Sequence, residues 1–195
     1  MDSPSGRLPR RISVVGLSGS GKTTVARRLA RLVDAPHVEL DALHWVHPDW
    51  AEPSGEEFRA AVGRALAGDA WVVEGNYRSA RAVYWPRVEM LVWLDLPLWV
   101  ITWRVLRRTL RRVGSSERLW GTQRETFRRG FLSYDSLWLW NVRTHRPRRR
   151  LYRDLAAELE LRGGQAVRLR SQRTVDQWLE RLANQKRSDR QEGLM

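Results

Sequence analysis

Gly16-Leu17-Ser18-Gly19-Ser20-Gly21-Lys22-Thr23 carries the spacing G-x-x-x-x-G-K-[ST], and each residue type in it suits a polyphosphate. The glycines let the backbone curl so that successive N–H groups point inward at an anion. Lys22 supplies a point charge for the β- and γ-phosphates of a nucleotide, and the Thr23 hydroxyl reaches the Mg²⁺ that the nucleotide carries. Gly16, Ser18, Gly19, Ser20, Gly21 and Thr24 complete the expected ATP cradle, at the start of a helix whose positive end favours an anion. The chain has one other lysine, Lys186, among abundant arginines. Keeping lysine at position 22 points to a need for a compact ammonium rather than a planar fork.

Carboxylates form the second group. Asp41, Glu74 and Asp95 each stand where an apolar run ends, and a carboxylate there is expensive unless it meets a cation, a metal or backbone donors. Three of them beside a phosphate loop point to one shared site, although any of them could instead cap the following helix or turn. Asp41 is followed by His44 and Trp45, and Glu74 by Gly75-Asn76-Tyr77-Arg78, which makes these the candidate acceptor contacts. Thr23 and Glu74 are the candidate magnesium residues. Asp41, His44, His47 and Asp49 could in principle hold a transition metal, but substrate contacts suit them better beside a Mg²⁺–nucleotide site.

Arginines form the third. Arg104, Arg108 and Arg111 are spaced i, i+4 and i+7, so they share one helix face opposite Val100, Trp103, Leu106 and Leu110. That face could contact phosphates and base, could be a solvated basic face, or could touch a nucleic-acid backbone. Residues 114–147, with Arg124, Arg128 and Arg129, lie where a phosphotransferase places a mobile lid whose arginines offset charge on the transferred group.

Positioning these groups requires alternating elements. Strands are expected at 11–16, His37–Asp41, Trp71–Glu74, Met90–Asp95 and Ala166–Arg170, with helices near 22–34, 54–67, 98–113, 150–162 and 174–183. The alternation predicts a parallel sheet with helices on both faces and ligands at the carboxyl ends of the strands. Residues 1–10 and 184–195 read as loose tails around one domain, 11–183, with the lid inserted.

Composition excludes several classes. Without cysteine, neither a disulfide framework nor a Cys-ligated metal is possible. The polar N-terminus lacks the apolar stretch of a signal peptide, and the run Met90–Trp103 is broken by Asp95 and Pro97, so a cytoplasmic protein without membrane partners is expected. The net charge of +13 raises nucleic acid as a secondary partner, but no helix-turn-helix, RNP or zinc motif accompanies it.

Together the loop, Glu74-Gly75-Asn76-Tyr77-Arg78, and Asp95-x-Pro97 with Arg104 and Arg108 resemble P-loop nucleoside monophosphate kinases of the adenylate kinase type. Closer still, Asp41-x-x-His44-Trp45, the Trp71–Tyr77 segment and the Trp120–Glu125 block are similar to FlaR-type DNA topology modulation proteins, although Glu74 stands where that pattern has aspartate. The resemblance implies a three-layer α/β/α P-loop NTPase fold, with a five-stranded parallel sheet in the order 2-3-1-4-5 and a small helical lid. It also implies an ATP- and Mg²⁺-dependent phosphotransferase. There Glu74 organises the metal's water, Arg78 meets the acceptor's phosphate, Arg104 lies against adenine and Arg108 contacts the donor phosphates. Lys22, Arg104, Arg108 and Arg124 would act on the transferring group, and Asp41 is the candidate for positioning or deprotonating a small acceptor. The competing expectations are an ATP-binding regulator of nucleic acid and an ATPase without an acceptor.

Overall fold

A computed structural model describes residues 8–45, 53–115 and 127–192, with side chains over those ranges except at 108–140, 189, 190 and 192. The order is β1 (Arg11–Gly16), α1 (Lys22–Val33), β2 (His37–Glu39), α2 (Leu40–His44), α3 (Gly55–Ala65), β3 (Trp71–Glu74) and α4 (Arg78–Tyr84). A 3-10 turn (Trp85–Arg87) follows, then β4 (Met90–Leu94), α5 (Leu98–Ser115), α6 (Phe127–Leu161), β5 (Gln165–Leu169) and α7 (Gln172–Glu192).

All strand pairings are parallel and the sheet runs β2-β3-β1-β4-β5. β1, β3 and β4 are buried on both faces beyond Arg11, in keeping with their mainly Val/Leu/Ile/Trp content. Alternation sends Val73, Leu91 and Trp93 into a core under α3, α4 and α6, while Ile12, Val14, Val72 and Val92 meet α1 and α7. The result is the expected three-layer α/β/α arrangement, and it brings the C-terminal ends of β1, β3 and β4 beside the start of α1.

Several elements differ from the sequence expectation. β2 ends at Glu39 rather than Asp41, because Leu40 turns fully into the core and starts α2, which carries Asp41 in its first turn. The helix expected at 150–162 is the last part of α6, which begins at Phe127 and continues through Pro147. The arginine-rich stretch before Leu151 shows no apolar rhythm, yet arginine is a good helix former. α7 runs on to Glu192 through residues expected to be a tail, for the same reason. α4 was not expected; its seven residues are too few for a visible helical period. α3 does start as expected, with Ser54 and Glu57 forming a reciprocal capping box. Residues 116–126 of the expected lid, including Arg124, lie outside the described residues, as does the side chain of Arg108. Among the described residues no helix is long and apolar enough to cross a membrane.

Candidate active site

The glycine loop joins β1 to α1 in the order the motif requires. Gly19 has φ +84°, and a Cβ there would lie 2.5 Å from Val105 Cγ2 on α5. Gly19→Ala is therefore expected to cost about 1–2 kcal/mol from backbone alone, with nucleotide affinity falling as the loop shifts. A thermal melt should register about 2–4 °C per kcal/mol, and an ATP-analogue titration reads the affinity.

Lys22 and Thr23 lie in the first turn of α1, where backbone N–H groups lack intrahelical acceptors. Lys22 Nζ donates to the Leu17 carbonyl at 3.3 Å, which folds the ammonium back over the loop. Ser20 Oγ is buried and has no hydrogen-bond partner among the described residues. An orphaned hydroxyl inside a loop of inward amides fits a polyphosphate, which would supply its partner. Ser18 and Gly19 are partly accessible, and Thr24 is exposed.

Three side chains brace the loop from outside. Asn76 Nδ2 donates to the Gly16 carbonyl at 2.8 Å, while its Oδ1 accepts from Tyr152 Oη at 2.7 Å. Asn76, a candidate substrate contact by sequence, thus has both ends of its amide engaged within the protein. Arg104 donates to the Ser20 carbonyl at 3.2 Å and to Gln172 Oε1 at 2.7 Å, tying α5 to the start of α7 across the loop. Asn141, 2% exposed on α6, donates to the Ser18 carbonyl at 3.2 Å, and its Oδ1 has no partner among the described residues. Neither Asn141 nor Tyr152 was legible as part of the site, since both lie over a hundred residues from the loop in sequence and follow no motif. Asn76→Ala should cost about 1–3 kcal/mol by leaving a buried carbonyl and hydroxyl unpaired, whereas Tyr152→Phe should cost about 0.5–1.5 kcal/mol. Chemical denaturation of both variants checks that order.

Glu74 ends β3 beside the loop and is 6% exposed. Burial pushes its carboxyl above the usual range, against a hydrogen bond from Thr23 and the charge of Lys22; Glu39 and Asp41 push it further up. The link from Thr23 to Glu74 brings together the two residues expected to serve the metal. Glu39 was missed by sequence because β2 ends two residues earlier than expected; it pairs in register with Glu74. His37, Glu39 and Glu74 offer ligand atoms within 4.8 Å of one another. Burial holds His37 below its ordinary pKa, so at neutral pH its ring stands uncharged, 3.6 Å from Glu39 and 3.7 Å from Glu74. Carboxylates beside a threonine hydroxyl are the hard oxygen donors that Mg²⁺ takes, so the residues fit that ion.

The remaining candidates separate. Asp41 is exposed at the start of α2 and close enough to Glu74 to raise its pKa. His44 is packed rather than presented: its ring stacks on Tyr77 at 4.7 Å and meets Phe58 edge-on at 4.9 Å. Trp45 is 42% exposed next to it, and Arg78 is exposed as the first residue of α4. Of the candidate transition-metal set, Asp41 and His44 join no ligand cluster among the described residues, and His47 and Asp49 lie outside them. Asp95 does not share the site either. Its carboxylate is held by Arg149 and Arg168, each at 2.9 Å, at the β5 edge of the sheet.

No protein-family model matches the chain. A stretch of 34 residues is 53% identical to the ATP-dependent protease ATPase subunit HslU1 of Trypanosoma brucei brucei (strain 927/4 GUTat10.1), covering 17% of this chain. The chain spans only 7% of the length of that curated relative. Among solved structures, shikimate kinase from Bacteroides thetaiotaomicron superposes with a TM-score of 0.52 at 16% identity, covering 91% of this chain and 98% of that one. Shikimate kinase from Acinetobacter baumannii in complex with shikimate gives 0.50 at 18%, covering 93% and 94%. These likenesses carry the P-loop kinase-like fold. They carry nothing of the finer resemblance to FlaR-type proteins.

Proposed function

We propose that this chain is an ATP-dependent phosphotransferase that moves the γ-phosphoryl group of ATP to a small acceptor bearing a nucleophilic oxygen. The observation that carries the reading is Glu74, buried at the end of β3 and close enough to Thr23 and Lys22 for both to favour its charged form. Burying a carboxylate beside the loop threonine is costly unless a cation meets it, and Mg²⁺ on a P-loop nucleotide is held by such a pair.

In this account the amides of residues 19–24 and the Ser20 hydroxyl hold the phosphates, and Lys22 offsets charge on the β- and γ-groups. Thr23 and Glu74, with Glu39 alongside, would hold Mg²⁺, which when bound neutralises charge on the phosphate oxygens. Arg104 closes the base side, being fixed between Ser20 and Gln172. The acceptor oxygen attacks the γ-phosphorus, the bond to the β–γ bridging oxygen breaks, and the acceptor proton passes to Asp41. Catalysis of this kind is mostly positioning and charge stabilisation. The acceptor would lie between Asp41, Trp45 and Arg78. Arg81 and Arg148, whose charges reach the buried Tyr152 hydroxyl, favour an anionic acceptor. Arg108 and Arg124 remain proposals of the sequence for the transferring group.

ADP release from Mg-ATP, measured against nucleoside monophosphates, nucleosides, sugars and hydroxy acids such as shikimate, tests the reading. Stimulation by at least one anionic acceptor is expected. Turnover that no acceptor changes would leave a bare ATPase.

A further inference from the structure

A groove at the β5 edge of the sheet gathers Arg146, Arg149, Arg150 and Arg153 from α6 and Arg168 from β5 around a cavity of about 340 Å³. The α6 residues are three, four and seven positions apart, so they share one face of the helix. Like charges at that spacing repel, and the groove offers them little relief. Asp95 accepts from Arg149 and Arg168, and its side chain is only 4% exposed. Among the described residues, no carboxylate lies within ion-pair distance of Arg146, Arg150 or Arg153.

Two of these guanidinium groups are preset. Arg168 also lies over the Trp93 ring, 4.3 Å from its centroid, and Trp93 meets Tyr152 edge-on at 5.8 Å. Arg149 and Arg168 are thus held by a shared buried anion, while Arg146, Arg150 and Arg153 are exposed around them. His145 stands close by, and burial and the Arg149 charge keep its pKa below the ordinary value. The groove therefore stays strongly cationic with an uncharged imidazole next to it. None of the residues lining the groove belongs to the nucleotide loop, which α6 meets further toward its start, through Asn141.

We propose that this groove is a second anion site, separate from the nucleotide loop, for a small ligand carrying two or more linked phosphoryl groups. Guanidinium forks pair bidentately with phosphate oxygens, and several linked phosphates bridge cations that a single phosphate cannot span. Arginines from a helix and a strand converge on one cavity of ligand size instead of tracking a line, as contacts along a nucleic-acid backbone would. The inference does not rest on the phosphotransferase reading.

The test is calorimetric titration of inorganic tripolyphosphate into the full chain whose nucleotide loop is already saturated with a non-hydrolysable ATP analogue. A one-to-one binding event is expected, weakened at least tenfold in the double variant Arg150→Ala/Arg153→Ala. Both residues are exposed, and an unchanged melting temperature confirms that this variant folds. Arg181→Ala/Arg187→Ala removes the same charge from α7 and should change binding less than twofold. Replacing tripolyphosphate by ATP in the syringe distinguishes a nucleotide ligand from a free polyphosphate, since groove binding by both means recognition through phosphates alone. No binding beyond the analogue, or equal weakening by both double variants, overturns the proposal.

Discussion

Lys22→Ala is expected to lower phosphoryl transfer by about 10²–10³-fold, the loss that follows removal of one preorganised charge-stabilising donor. Lys22 Nζ donates to the Leu17 carbonyl within the loop. The side chain is partly accessible, so its removal opens no cavity in the core. The melting temperature should therefore stay within a few degrees of the parent, while transfer collapses. Lys22→Arg is informative for the same reason. A guanidinium keeps the charge but is larger and planar, so transfer should recover little. Steady-state kinetics with saturating Mg-ATP, run beside thermal melts, separates a lost catalytic group from a lost fold.

Glu74→Gln is expected to move activity and stability in opposite directions. Its carboxylate is buried in the apo protein, and burial outweighs the help of Thr23 and Lys22 in setting its pKa. A carboxyl raised on folding binds its proton more tightly in the native state than in the unfolded chain. The penalty is thus fully present above the raised native pKa and disappears as pH falls below the unfolded value. Substitution by the uncharged isostere removes that penalty, so the apo melting temperature at neutral pH should rise, with less gain at acid pH. Transfer should meanwhile fall roughly 10–100-fold, as losses of groups that orient a metal site do. A Glu74→Gln protein that is both less stable and fully active would show that the carboxylate is a structural strut and not part of the site.

The fold was largely legible because its signals are local. Short apolar, largely β-branched runs within 11–16, 71–74 and 90–94 pointed to buried strands, and the glycine loop fixed which helix follows β1. The register that brings Glu39 opposite Glu74 was not legible, because one core leucine, Leu40, decides where β2 stops. Side chains that act across the chain were hidden for a different reason. Tyr152, Asn141 and Arg168 reach Asn76, Ser18 and Asp95 only because α6 and β5 pack beside the loop end of the sheet. Asp95 illustrates the limit. Its strand-end position was read correctly, but sequence spacing could not reveal that two distant arginines draw it away from the nucleotide loop.

The same packing explains why charge misleads as a guide to partners. Arginines that look alike in a net charge of +13 divide into braces such as Arg104, ion-pair members such as Arg149 and Arg168, and the exposed set of the groove. None of these arrangements requires a nucleic acid.

Transfer of label from γ-³²P-ATP, with the products separated and identified over the acceptor panel, tests the central claim most directly. The account predicts a labelled small molecule whose formation requires Mg²⁺ and disappears with Lys22→Ala. Label recovered only as inorganic phosphate with every acceptor, or a labelled product formed equally by Lys22→Ala, would contradict it.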